Sequence, residues 1–182
     1  MLYIVSFRGK FGFIKPWTAV RDDLTFSQQF LTPSIVEGIE KKLFPELLST
    51  NGLSKIKRHK LQYNSMSSQQ EVTQTRGEDK KGKRERSIIK RGLLVDPVLY
   101  LAFDNETDAY EASTQHVCLC RNEDILLPDD EVVTMSETDF GQMDGFELRF
   151  GMSEHSFKVG HNRYNNAQPM YGWLEINGQS LL

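Results

Sequence analysis

Short apolar runs separated by polar segments recur along the chain, and most have the spacing of strands. Leu2 to Phe7 is mostly apolar and rich in β-formers, which predicts a central first strand. Phe146–Phe150 and Tyr171–Ile176 alternate apolar and polar positions as half-buried strands do, the second ending at an Asn177-Gly178 turn. Val117 and Leu119 alternate with polar positions over 116–120, and Ser87–Phe103 reads as a strand bent at Asp96-Pro97. Lys55–Tyr63 sets Ile56 and Tyr63 among cations and predicts a strand with a basic exposed face. The clearest helical period follows an extended run from Phe26 to Leu31. Thr32 is placed to cap and Pro33 to occupy the first helical position. Ile35, Val36, Ile39 and Leu43 then recur every three or four residues as one apolar face that must lie on a sheet. Pro45 starts a further short turn, and Asn51-Gly52 closes the segment. Asp104–Thr114 reads as a short acidic helix and Leu127-Pro128-Asp129-Asp130 as a turn. The stretch from Asn64 to Arg86 has almost no apolar residues to bury and is expected to be a mobile excursion, so that 55–91 as a whole forms a long projecting hairpin.

Composition narrows this picture. A chain of 182 residues with 38% hydrophobic and 26% charged residues supports one well-buried core and a single domain, residues 1–182. The longest apolar stretch, 92–103, is broken by Asp96-Pro97 and is too short for a membrane span. The first residues alternate like a strand and lack the basic and small-residue signature of a secretory signal, which predicts a cytoplasmic protein without a membrane partner. Cys118 and Cys120 are too close for an ordinary disulfide and lack a second pair.

Charge is segregated. The formal net charge is −3, yet residues 55–91 carry twelve Lys and Arg against four acids, a net of +8. Residues 104–147 carry thirteen acids against Arg121 alone, a net of −12. This asymmetry points to a polyanion on one face and, for the acidic segment, a basic protein neighbour or plain solvation. RNA or DNA backbone binding by the basic hairpin is the strongest functional signal, since a concentration of cations in an acidic protein is costly to keep without a polyanion. Lys15, Trp17 and Arg21 add a loop mixing cations with an aromatic, the combination that meets phosphates and stacks on bases. The Thr32-Pro33-Ser34 helix start presents N–H groups and the Ser34 hydroxyl to an anion.

Other chemistry is thinner. The common catalytic motifs, a nucleophile elbow, a zinc-protease helix or a dinucleotide fingerprint, are absent. Gly9-Lys10-Phe11-Gly12-Phe13 is either a phosphate-cradling loop or a bend with packed aromatics. His116, Cys118 and Cys120 lack the spacing of a known metal finger, so they read as a small-residue strand, and no metal or cofactor is expected. A metal-free ribonuclease needs an acid, a base and cations, which His155, His161 and Lys158 could supply.

The order of these features resembles the Cas-five family, RAMP-superfamily subunits of CRISPR Cascade-type surveillance complexes. The resemblance is carried by the apolar first strand, the Gly-Lys-Phe-Gly-Phe loop and residues 30–39 (Phe-Leu-Thr-Pro-Ser-Ile-Val-Glu-Gly-Ile). The basic hairpin, Arg86–Arg91 leading into Val98–Ala102, and a glycine-rich segment at 149–157 complete it. It implies an α+β, ferredoxin-like (RRM-like) RAMP core, a protruding basic β-hairpin thumb over about 55–91 and a glycine-rich C-terminal β segment. The acidic stretch 104–147 is unexplained by it and is expected to be an insertion. The implied function is binding and capping of the 5′ handle of the crRNA and nucleating a ribonucleoprotein complex for antiviral defence. Its partners would be a Cas-seven-type backbone subunit, a Cas-eight-type large subunit and, through the complex, target DNA. One branch of the family cleaves precursor RNA with a Tyr ahead of the helix start and a Lys-His pair. Here Gln28 stands at the Tyr position and no Lys-His dipeptide occurs, so the implied role is non-catalytic, with a metal-independent endoribonuclease as the alternative. A third reading is a protein-only interaction module whose basic hairpin meets an acidic partner. The expected RNA contacts are Lys15, Trp17, Arg21, Gln28, Ser34, Lys57, Arg58, Lys60, Arg76, Lys80, Lys81, Lys83, Arg84, Arg86, Lys90, Arg91 and His155.

Overall fold

The computed structural model describes the backbone of residues 1–16, 24–78, 82, 84–162 and 165–178, and their side chains outside 73–78 and 84–87. It is strand-rich and mixed α+β. The main sheet begins with β1 (Leu2–Arg8). Its other strands are β4 (Ile56–Gln62), β7 (Val98–Phe103), β8 (Val117–Cys118), β9 (Ile125–Met135), β10 (Gly145–Phe150), β11 (Phe157–Asn162) and β12 (Gln168–Asn177). Its order is β11-β12-β10-β4-β7-β1-β9-β8, and every pairing is antiparallel. The alternation in β1 decides the layering. Val5 and Phe7 face one side, where α1 (Pro33–Leu43) and α2 (Glu106–Ser113) pack with Val36, Ile39, Leu43, Ala109 and Ala112. Leu2 and Ile4 face the other, against Phe140 of α3 (Glu137–Gln142).

A second sheet is built on β6 (Arg84–Val95). One of its edges carries β5 (Ser65–Glu78); the other carries β2 (Phe11–Gly12) and, in parallel, β3 (Leu24–Phe26). The segment expected to be a mobile excursion is therefore a continuous ladder from Ser65↔Val95 to Gln74↔Arg86, resumed at Glu78↔Arg84. Backbone pairing orders it where apolar burial does not. The basic strand at 55–63 is not part of this hairpin, because β4 lies in the main sheet between β7 and β10. The acidic stretch 104–147 supplies α2, α3 and β9, and β9 pairs with β1. The turn expected at 127–130 is instead inside β9. There the pairing to β1 shifts between Phe7↔Pro128 and Val5↔Val132, and the irregularity absorbs Asp129 to Glu131.

The helix start is where the pattern places it, with Thr32 extended and Pro33 at the first position, but the Thr32 side chain makes no capping bond. Its carbonyl accepts from Ile35 and Val36 instead, so the fixed φ of Pro33 sets the turn. The buried face of α1 is wider than its apolar stripe. Glu40, fully buried, accepts from the N–H groups of Ser54, Lys55 and Ile56; Glu37 accepts from Lys41 Nζ at 2.9 Å and from Gly52 N–H at 3.0 Å. These carboxylates clamp the segment entering β4 onto the helix. No described helix is long and apolar enough to cross a membrane.

Candidate nucleic-acid interface

Beside the first two turns of α1 lies a cleft of about 450 Å³. One wall is the helix ridge Ser34, Gly38 and Lys42, spaced by four and so stacked along one side. The segment Cys118–Asn122 after β8 forms the second wall, and Val159–His161 of β11 with Met170 of β12 the third; Lys15 stands at the rim. Four cationic or titratable basic groups, Lys15, Lys42, Arg121 and His161, thus line one depression, and none of the lining residues is an acid.

The cations are held differently. Lys15 is exposed and makes no side-chain hydrogen bond or ion pair among the described residues. The Lys42 ammonium donates to the His116 carbonyl, and burial holds its pKa below the usual lysine value, with the Cys118 thiol acting weakly the other way. Arg121 is anchored from behind by Asp124, at 2.5 and 2.8 Å, and by Glu71 at 2.6 Å; the Asp124 bond raises its pKa despite the cost of burial. Glu71 also accepts from Arg91 at 2.8 Å. Burial works against the Glu71 carboxylate, yet Arg91 and Arg121 hold its pKa below the usual range. Both guanidinium groups lie over the buried Phe13 ring, at 5.0 and 5.5 Å. Phe13, from the segment 9–13, thus supports the cleft beneath these two cations.

Of the residues expected to contact RNA or to act on it, the cleft brings together Lys15, Ser34 and His161, with Thr32, Cys118 and Cys120 also in its lining. Ser34 Oγ donates to the His161 carbonyl at 3.2 Å, so the hydroxyl proton is already engaged, while the Ser34 backbone N–H has no partner among the described residues. Gln28 stands apart: its amide donates to the Phe30 carbonyl at 2.8 Å and closes a local turn. Lys90 is exposed on β6, whereas Arg91 is committed to Glu71. His155 is exposed in the turn before β11 and Lys158 is exposed on β11; neither lines the cleft with His161.

Two expected contacts on β4, Lys60 and Arg58, are corrected, and a third, Lys57, is engaged at the surface. Lys60 is fully buried, and its ammonium donates to the carbonyls of Phe140, Gly141 and Met143 at 2.9, 3.1 and 2.6 Å, closing the C-terminal end of α3. Burial lowers its pKa and Glu147 partly restores it. Arg58 makes a two-pronged pair with Glu147 at 2.8 and 2.6 Å. Lys57, though exposed, bonds the Ser54 carbonyl and Asp104. A polyanion can reach neither Lys60 nor the paired face of Arg58. Trp17, Arg21, Lys80, Lys81 and Lys83 lie outside the described residues, as do the side chains of Arg76, Arg84 and Arg86.

Lys42 and Arg121 were not among the sequence candidates. The signal for Arg121 was its isolation as the single cation of the acidic third, and for Lys42 its i+8 spacing from Ser34 on the same helix ridge. Among the described residues no cluster of three or more His, Cys, Asp or Glu is arranged to hold a metal, and neither Cys118 nor Cys120 forms a disulfide.

No family model matches the chain, and no curated protein matches it. Among solved structures, a chain in one titled "CRISPR RNA-guided surveillance complex" superposes with a TM-score of 0.55, covering 97% of this chain and 90% of that one at 8% sequence identity. The protein therefore shares its fold, over nearly its whole length, with a chain of a CRISPR RNA-guided surveillance complex.

Proposed function

We propose that this protein is a Cas-five-type RAMP subunit that binds and caps the 5′ handle of a crRNA in a Cascade-type complex, without cutting it. The observation that carries the RNA-binding part is the cleft at the Thr32-Pro33-Ser34 corner, where Lys15, Lys42, Arg121 and His161 converge with no acid among the lining residues. A cavity of one charge sign attracts a polyanion and concentrates its field. The assignment to this family is supported by topology. The central strands β4-β7-β1-β9, with α1 following β1 and α2 following β7, have the order of a ferredoxin-like core, and the β5–β6 hairpin is inserted between β4 and β7, where a thumb would stand. The fold likeness to a surveillance-complex chain supports the same reading.

In this reading the protein sits in a cytoplasmic ribonucleoprotein beside a backbone subunit and a large subunit, and meets target DNA through the assembled complex. The non-catalytic role is supported by Gln28, whose amide is tied to the Phe30 carbonyl, and by the separation of His155 and Lys158 from the cleft that holds His161. Sequencing the RNA that co-purifies with the complex tests the cap. A uniform 5′ end is expected, and heterogeneous 5′ ends would remove it. Incubation of labelled repeat RNA with the purified protein in EDTA tests the rest: intact RNA is expected, and a discrete product lost in His161→Ala would replace this reading with the endoribonuclease.

A further inference from the structure

The cationic cleft has a neighbour of different character. Next to the cationic cleft lies a second groove of about 450 Å³ lined chiefly by Leu53, Phe150, Met152, Met170 and Tyr171, with Glu37 and Asn162 as its polar members. Its character is the reverse of the cleft's. The walls are aromatic rings and thioethers, and no cation lines it. The two sites are immediate neighbours: Met170 lines both, and Pro33 and Asn162 of the groove are the sequence neighbours of Ser34 and His161 of the cleft.

We propose that this groove is a pocket for a single unstacked nucleobase of the strand whose phosphates occupy the cleft. The inference rests on the RNA-binding reading above and adds a subsite to it. Three observations select a base over another occupant. First, Met152 is 75% exposed and Tyr171 37% exposed, so two large apolar side chains stand open to a ligand face. Second, Phe150 is held in place: its ring stacks on the buried His59 ring, with centroids 5.2 Å apart and planes 28° apart. Third, the lining is not wholly apolar. The Glu37 carboxylate and the Asn162 amide both line the groove, the amide donating to Glu37 Oε2 at 3.4 Å, so it presents groups suited to a base edge and unsuited to an aliphatic side chain. Continuity with a site for phosphates makes the ligand a nucleotide strand: the charged backbone runs in the cleft and a base turns into the adjoining apolar groove.

The experiment uses the full chain and single-stranded RNA octamers of one mixed sequence, each carrying one abasic ribose at a different position. Wild-type protein is expected to lose about tenfold in affinity for the octamers abasic at one or two adjacent positions and little for the rest. Met152→Asp and Tyr171→Ala, both at exposed positions, are expected to weaken binding of the intact octamer by a similar factor and to abolish the position dependence. A thermal melt checks that each variant is folded, and Met152→Leu should behave as wild type. If the abasic penalty is flat along the strand, or is unchanged in both groove variants, the groove is not a base pocket. If those results come with binding that Lys42→Glu still weakens, only the base pocket falls. If no octamer binds at all, the RNA-binding reading falls with it.

Discussion

Glu40, Lys60 and His59 show how much of this chain's polar inventory is spent on holding the fold. Glu40 satisfies three consecutive backbone N–H groups and has no exposed surface, so Glu40→Ala leaves them buried without an acceptor. Loss of roughly 1–3 kcal/mol is expected in urea denaturation, and less for Glu40→Gln, which keeps one acceptor oxygen. Lys60→Met keeps the length of the side chain but strands the three carbonyls at the end of α3, for a comparable loss. If Lys60→Met instead weakens RNA binding without changing the urea midpoint, the ammonium is not the α3 cap described above. His59 makes acid a specific liability. Its ring is buried, its Nε2 has no partner among the described residues, and burial pushes its pKa from 6.5 down to about 3. Between those values the unfolded chain holds a proton that the folded chain does not, so stability is full above pH 6.5 and falls as pH drops toward 3. The slope is at most about 1.4 kcal/mol per pH unit. In His59→Gln the difference in urea midpoint between pH 7 and pH 5 should shrink; an undiminished difference would assign the titration to another group.

At the scale of elements, the cleft is a product of α1 meeting the ends of three other segments, and its cations can be tested singly. Lys15→Glu should weaken RNA binding most cleanly, because that ammonium is exposed and unengaged among the described residues; Lys42→Glu should do so with some loss of stability, since it breaks the bond to His116. Each reversal that removes a phosphate contact should lower the magnitude of the slope of log affinity against log salt by about 0.7 on single-stranded RNA, read by fluorescence anisotropy. An unchanged slope in Lys15→Glu would move the polyanion away from this rim. The helix itself was legible because Pro33 and the Ile35, Val36, Ile39 and Leu43 spacing are local signals. So were β10 and β12, whose apolar positions alternate, and β1, which is mostly apolar and rich in β-formers. The fate of individual cations was not legible. Lys60 occupies a strand position that reads as solvent-facing, and only the arrival of α3, some eighty residues later, gives its ammonium three carbonyls. The β5–β6 ladder was missed for a related reason: hydropathy reports burial, whereas that ladder is ordered by cross-strand backbone pairing and by the Glu71–Arg91 contact. Leu127–Asp130 looked like a turn because Pro128 and the acids that follow favour one; a bulge opposite Ser6 lets β9 carry them.

Across the whole molecule, the charge segregation seen in the sequence is partly resolved inside the fold. Lys55 pairs with Asp108, Lys57 with Asp104 and Arg58 with Glu147, so the base of the basic segment is neutralised by the acidic one, and much of the acidic third needs no outside partner. Among the described residues, the cations that face outward include those of the cleft, Lys90 on β6 and Lys158 on β11. This division predicts that salt separates binding from folding. Exposed pairs such as Lys10–Asp96 contribute little and are screened, whereas Arg58–Glu147 and Lys41–Glu37 are buried and largely immune. Raising sodium chloride from low to high concentration should therefore reduce affinity for single-stranded RNA with a log–log slope of about −0.7 for each phosphate neutralised, while the urea midpoint of the free protein changes little. A midpoint that falls in step with affinity would mean that the exposed pairs hold the fold, and that the cleft loses RNA because its walls come apart rather than because counterions compete for it.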